Sequence, residues 1–340
     1  MRLERTTLVS LILLLLSLAG ASAANADNVK KGATVMGTGL ELTLNVTDPA
    51  AVEPAFAAVV AEMSRIEAMM SEWRDGSPVS LINRNAGKRP VQVPDELFKV
   101  IAAAQQVSAI SNGAFDISWA AMRGLWNFAE GQERIPSDEE INKARRLIDY
   151  RKIELDEKKK TVYLKEPGMA IGLGGIAKGY AVDMAMQTLY KMGVRNAIVK
   201  AGGDMRVQGV SDAGPWEIGV KHPREKGRLI AKLKLSGVSI STSGDYERFF
   251  IKDGVLYHHI MDPKTGRPAT GAQSVTILAP DTMTTDALST AIFVMGPDEG
   301  MKLVERLNGV EAVIVDAQGR VHASSGIDLN LPDGNPSKAR

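Results

Sequence analysis

Residues 172–185 read GLGGIAKGYAVDMA, with Gly172, Gly174, Gly175 and Lys178 standing directly ahead of a helical pattern. Gly174 and Gly175 let the backbone come close to a ligand. The helix that follows would aim its N-terminal amides and Lys178 at the same place, which suits an anion. Two familiar phosphate loops fail on context. Gly172, Gly174 and Ala177 satisfy G-x-G-x-x-[GA], yet only Met169-Ala170-Ile171 precede them, and no acid ends the next strand until Asp204, beyond two glycines. Lys178 is followed by Gly179, so the Gly-Lys-Ser/Thr of a Walker loop is missing as well. Read alone, the loop is equally a glycine turn that packs a helix against a sheet.

In TTDALSTA, residues 284–291, Asp286 and Thr290 are four apart and share one face of a helix. A carboxylate and a hydroxyl with room for phosphate oxygens and water suit Mg²⁺. Without other information, a Thr284 or Thr285 cap with Asp286 complementing the helix dipole is the simpler account. In YHHIMDPKTGRPA, residues 257–269, His258 and His259 are neighbours, so in a strand only one faces a given cleft. Either could do acid–base work near neutral pH. Zinc is not indicated, because no histidine pair has helical ligand spacing and the chain has no cysteine.

These residues need a scaffold. GATVMGTGLELTLNV alternates as a strand, and residues 48–73 carry apolar residues at helical spacing after Asp48-Pro49. DELFKVIAAAQQVSAISNG is predicted as a helix capped by Asp95 and closed by Gly113; SDEEINKARRLI starts one at Ser137. Strands dominate from Ile153 onward, including a hairpin around Asp253-Gly254 and another in EAVIVDAQGRVHAS. Two helices return in TTDALSTAIFVMG and DEGMKLVERLNG. The mixture without a strict βαβ rhythm predicts an α+β class, one two-lobed catalytic unit over residues 27–330 with a loose tail at 331–340.

At the N-terminus, Arg2 and Arg5 precede a largely apolar run over residues 8–18 and the small residues Ala21-Ser22-Ala23. That order reads as a cleavable secretory signal over residues 1–23, too short in its apolar part to span a bilayer. The expectation is a soluble protein of the periplasm, with no lipid anchor on a cysteine. Removing the signal takes away Arg2, Glu4 and Arg5 and leaves acids and bases in balance, which argues against nucleic acid as a partner.

GGIAKGYAVD, AGGDMRVQG, STSGDYERFF, HHIMDPKTGRP and TTDALSTA occur in the order of the ApbE family of FAD:protein FMN transferases, which the chain resembles along its mature length. VMGTGLELTL, MSEWRDGSPVSLIN and GAFDIS complete the pattern upstream. The resemblance implies an FAD cleft, Mg²⁺ on the pyrophosphate, and transfer of the FMN half to a threonine or serine hydroxyl with release of AMP. By the same resemblance, Asp286, Thr290 and the Gly175 carbonyl are the metal ligands. Met36, Trp73, Ala114, Phe115, Asp116, Lys178 and Ile260 would line the FAD site. His259, Asp286 and Lys178 are the candidate catalytic residues, with His259 the first choice as proton acceptor and Asp286 or another carboxylate the alternative. Implied acceptors are exported subunits of sodium-pumping quinone reductases, Rnf-type complexes or similar membrane proteins. Two departures stand out: Gly172 replaces the family's usual aspartate, and many relatives are lipoproteins. An FAD pyrophosphatase giving FMN and AMP, or a non-catalytic flavin-binding protein, are the other readings.

Overall fold

The structure is a computed structural model that describes residues 27–329. The expected signal over residues 1–23 and the tail at 331–340 lie outside the described residues. No described helix is long and apolar enough to cross a membrane.

Eight strands form the main sheet, and they pair in the order in which the chain makes them. They are β1 (Asp27–Val35), β2 (Thr38–Val46), β3 (Ala197–Ala201), β4 (Asp204–Gln208), β5 (Val238–Gly244), β6 (Ala272–Ala279), β7 (Glu311–Asp316) and β8 (Val321–Ala323). Every neighbouring pair is antiparallel. This excludes the parallel sheet of a dinucleotide-binding fold and fits the α+β class.

The period-two alternation of the strands divides the core between the two faces. On one face Leu40, Leu42, Val199, Val275, Ile277 and Ile314 pack under helices α1 (Val52–Met70), α2 (Asp95–Ile110), α3 (Ala177–Lys191) and α4 (Thr282–Val304). On the other, Ile240, Leu278, Val313 and Val315 lie beneath the hairpin Trp216–Lys221/Leu229–Leu235.

At β5 the helix-facing positions are serines. Ser239, Ser241 and Ser243 form hydrogen bonds with Thr282 (2.8 Å), Thr285 (2.7 Å) and Ser289 (2.9 Å) of α4. Steps of two along a strand keep pace with steps of three and four along a helix, so a ladder of hydroxyls can replace an apolar seam. Each rung contributes about 1 kcal/mol net and fixes the register of α4 on the sheet.

Helix α3 crosses α4 at Gly179. A Cβ there would lie 2.2 Å from the Thr282 carbonyl oxygen and 2.8 Å from Asp286 Cβ. Asp183 of α3 accepts from the amides of Thr282 (2.9 Å) and Met283 (3.0 Å), and Asp281 accepts from Thr284 N (2.8 Å). The first turn of α4 is therefore capped from two directions.

Three sequence expectations change. The single strand expected through residue 36 is a hairpin, turned at Met36 (φ 53°) and Gly37 (φ 68°), both left-handed as a two-residue I′ turn requires. Met36 carries no turn signal, so alternation alone hid the turn. Asp95 lies inside α2, whose cap position is Pro94. The two helices expected after Thr284 are present, parted within α4 by the non-helical Gly296 ahead of Pro297. Strands β5 and β6 were not anticipated, β5 because its inward face is hydroxyl rather than apolar.

Gly179→Ala gains about 1 kcal/mol of helix propensity but forces a methyl into backbone. A net loss of about 1–3 kcal/mol is expected in urea unfolding of the mature chain; an unchanged midpoint would show that the helices can separate freely.

Candidate active site

The helix-side face of the sheet and the segment 114–129 enclose a cleft of about 820 Å³, the size range of small-molecule sites. Met36, Trp73, Ala114, Phe115, Asp116, Gly175, Lys178, His259, Ile260, Asp286 and Thr290 all line it. The residues singled out in the sequence therefore meet in one place, although they come from six separated segments.

The charged floor of the cleft is built at the α3–α4 crossing. The Lys178 ammonium lies 2.8 Å from Asp204 Oδ2 and 3.3 Å from Asp286 Oδ1, and donates to the Gly174 carbonyl at 3.1 Å. Gly179 N donates to Asp286 Oδ2 at 3.0 Å. Burial alone would push the ammonium down in pKa, but the two carboxylates outweigh it and hold it protonated. Burial and the neighbouring Asp204 push Asp286 up, against Lys178. Two carboxylates facing one ammonium leave a surplus negative charge. Asp204 is the functional residue that sequence reasoning passed over. Its signal was the AGGD string, whose second glycine matters: a Cβ at Gly203 would meet the Thr242 carbonyl at 2.4 Å.

Beside the floor, Gly175 supplies backbone at close range. A Cβ there would approach Phe115 Cε2 to 3.1 Å and Thr290 Oγ1 to 3.3 Å. The glycine thus lets its own backbone, the Thr290 hydroxyl and the Phe115 ring share one corner.

The two histidines divide as strand geometry requires. His258 turns inward, its Nε2 donating to the Ala269 carbonyl (2.8 Å) and its Nδ1 accepting from Ile260 N (3.2 Å), with its ring edge-on to Phe293. Both nitrogens are occupied, and the residue is structural. His259 lines the cleft from a solvent-exposed position, and desolvation by the surrounding walls, with the Arg248 and His258 charges adding to it, lowers its pKa. Its ring is neutral at physiological pH.

Asp116 reaches the cleft, but its carboxylate is engaged locally. Oδ1 accepts from Ser118 N (2.8 Å) and Ser118 Oγ (2.6 Å), and Oδ2 from Tyr150 N (2.8 Å). It caps the short helix Ile117–Met122 and shapes the wall. Trp73 is 69% exposed at the rim, with the Arg123 guanidinium 5.1 Å above its ring. The space beside Gly172 is filled: a Cβ there would lie 2.8 Å from Glu72 Oε1.

A cleft with a lysine, two carboxylates and a glycine-lined helix start, set in an antiparallel α+β domain, defines a nucleotide-handling transferase rather than a dinucleotide-binding dehydrogenase. The ApbE family model matches residues 36–314, so the chain belongs to the ApbE family. It is 34% identical over 310 residues to the FAD:protein FMN transferase of Treponema pallidum, covering 86% of each chain. Identity to the same-named protein of Klebsiella pneumoniae is 32% over 295 residues, covering 86% of this chain and 90% of the other. Among solved structures, the ApbE protein of Thermotoga maritima superposes with a TM-score of 0.80 at 37% identity, covering 88% of this chain and 97% of that one. The flavin transferase ApbE from Vibrio cholerae gives 0.79 at 29% identity, covering 88% and 98%.

Lys178→Met would leave Asp204 and Asp286 facing each other without their cation. A loss of about 3–5 kcal/mol is expected at pH 7.5. The pair's pKa would then lie above its unfolded value, so part of the loss should return on acidification. Urea unfolding at pH 7.5 and 5.5 checks both the size and the sign.

Proposed function

We propose that this flavin transferase performs Mg²⁺-dependent transfer of the FMN moiety of FAD to a threonine or serine hydroxyl of an exported or membrane-bound redox protein, releasing AMP. Transfer of flavin from FAD to protein follows from the family and its curated relatives. The metal, the hydroxyl acceptor and the extracytoplasmic setting are the proposal's additions. The observation that carries it is the meeting of Lys178, Asp204, Asp286, Thr290 and His259 in one cleft.

The donor set fits a hard divalent cation. Two buried carboxylates exceed their one ammonium in charge, and Thr290 Oγ1 and the Gly175 backbone add neutral oxygens nearby. Among the described residues no three His, Cys, Asp or Glu side chains converge on one point. That sparseness suits Mg²⁺, which is held by one or two carboxylates together with substrate phosphates and water. Asp286, Thr290 and the Gly175 carbonyl would hold it. When bound, it neutralises the pyrophosphate and stabilises charge on the departing phosphate.

The protein's own groups do the rest. Lys178 offsets one of the two carboxylates, and the start of α3 adds its amide dipoles beside the pyrophosphate. The acceptor oxygen attacks the phosphorus on the FMN side, the bridging P–O bond breaks, and AMP departs with the electron pair. His259, neutral and turned into the cleft, takes the hydroxyl proton. The negative phosphates raise its basicity as they arrive. Trp73 at the rim offers a flat face to a ring.

Mass spectrometry on mature protein incubated with FAD, Mg²⁺ and an acceptor bearing a flavinylation sequence tests the reading. An acceptor gain of one FMN with matching AMP is expected. Free FMN and AMP with an unmodified acceptor, which a known transferase does label, would make the protein a pyrophosphatase. His259→Gln should slow transfer by about 10²-fold or more, with FAD affinity changed only a few-fold. A change confined to affinity would move the proton acceptor elsewhere. Asp286→Ala should abolish Mg²⁺-dependent AMP release while part of the FAD binding persists; an unchanged rate would remove Asp286 from the metal site.

A further inference from the structure

The chemistry above leaves one buried carboxyl in the cleft wall without a task. Glu72 is 7% exposed and lines the cleft next to Trp73. The neighbouring side-chain donors go to its backbone instead: its carbonyl accepts from the Arg123 guanidinium and from Ser80 Oγ at 3.3 Å. Among the described residues its carboxyl accepts from no other side chain and pairs with no cation. Burial pushes its pKa up and outweighs its own amide, the nearby Arg123 charge and the Leu173 amide, which all pull it down. Buried polar groups are ordinarily matched within the protein, so an acid left facing a cleft calls for a partner in the cleft.

The surroundings are shaped for a flat one. The Gly172 position is occupied from outside: a Cβ there would meet Glu72 Oε1 at 2.8 Å, Trp119 Cζ2 at 3.1 Å and Ala120 Cβ at 3.2 Å. The lack of a side chain at 172 is what gives the Glu72 carboxyl its space. Trp119 Nε1 is engaged by the Gly172 carbonyl at 3.2 Å, which holds its ring in the wall. Trp73 and Glu72 are sequence neighbours, so an aromatic face and an acid are presented side by side.

We propose that Glu72 reads the polar edge of one of the two ring systems of FAD, its carboxyl oxygens accepting a hydrogen bond from the N–H that this edge presents. The inference rests on the cleft being the FAD site. Adenine offers an amino group beside a ring nitrogen, and the flavin offers an imide N–H beside a carbonyl. Both present an N–H donor that a carboxyl oxygen matches. The metal and proton-transfer groups lie elsewhere on the cleft, so Glu72 determines which ring is held and where, and is not a catalytic residue.

The test uses Glu72→Met, which fills the same volume without polar atoms, and Glu72→Gln, which keeps a donor and an acceptor. Calorimetric titration of each mature protein with FAD, ADP and FMN, beside thermal melts, supplies the readouts. Glu72→Met should melt no lower than the parent, because an acid whose burial outweighs its local partners is replaced by an apolar chain, yet bind FAD at least about tenfold more weakly. The loss should fall on ADP or on FMN alone, which names the ring. Glu72→Gln should stay within about threefold of the parent. Parent-like FAD affinity in Glu72→Met overturns the proposal. So does a lowered melting point with ADP and FMN weakened alike, the mark of a structural role. A parent protein that binds no FAD would instead remove the FAD reading itself.

Discussion

The ammonium of Lys178, held between Asp204 and Asp286, is the interaction on which the rest of the site depends. A buried cluster of this kind is costly unless its geometry is closely kept, and three separate elements keep it. Lys178 stands in the first turn of α3, Asp204 begins β4, and Asp286 lies one turn into α4. Gly179 lets the helices approach until backbone meets backbone. The hydroxyl rungs from β5 then stop α4 from sliding, and Asp183 holds its first turn to α3. Weaken any of these and the surplus negative charge of the floor is no longer aimed at one point.

The same crossing explains why polar residues occupy positions that a conventional core would give to leucine. Ser239, Ser241, Thr282, Thr285 and Ser289 are buried, the first four with their hydroxyls matched in pairs and Ser289 matched to Ser243. Matched hydroxyls cost little and permit only one register. An apolar seam would be more forgiving of a shift, and a shift here would displace Asp286.

How far the sequence disclosed this depends on whether the signal was local. The glycine loop and the Asp286–Thr290 spacing are local, and both proved to lie where helical geometry put them. The opposite facing of His258 and His259 follows from a period of two, and the structure assigns the inward side to His258 through its bonds to Ala269 and Ile260. Asp204 was visible only as an acid in the wrong place for a dinucleotide fold, since its partner lies in a helix that precedes it in the chain. Glu72 was read as part of a helix end, because nothing in its neighbours announces that Gly172 will make room for it. The turn at Met36 was hidden for a related reason: alternating residues continue through it, and only the left-handed backbone reveals it. Strand β5 escaped because its serines look like a loop until α4 is laid across them.

The order of the main sheet carries a consequence for how such a protein can change. Successive strands are neighbours throughout, so residues 47–196, which contribute Glu72, Trp73, the 114–116 wall and Lys178, form a topological insertion between β2 and β3. Its two ends meet directly: Asn45 N donates to the Asn196 carbonyl at 3.0 Å, and Leu44 pairs with Ala197. A segment that leaves and returns at one point of a continuous meander can lengthen, shorten or be exchanged without retying any strand. The meander supplies Asp204, the histidines and Asp286; the insertion supplies the lysine and much of the pocket's shape. Ligand selectivity and acceptor fit can therefore diverge as a cassette, while the frame beneath stays put.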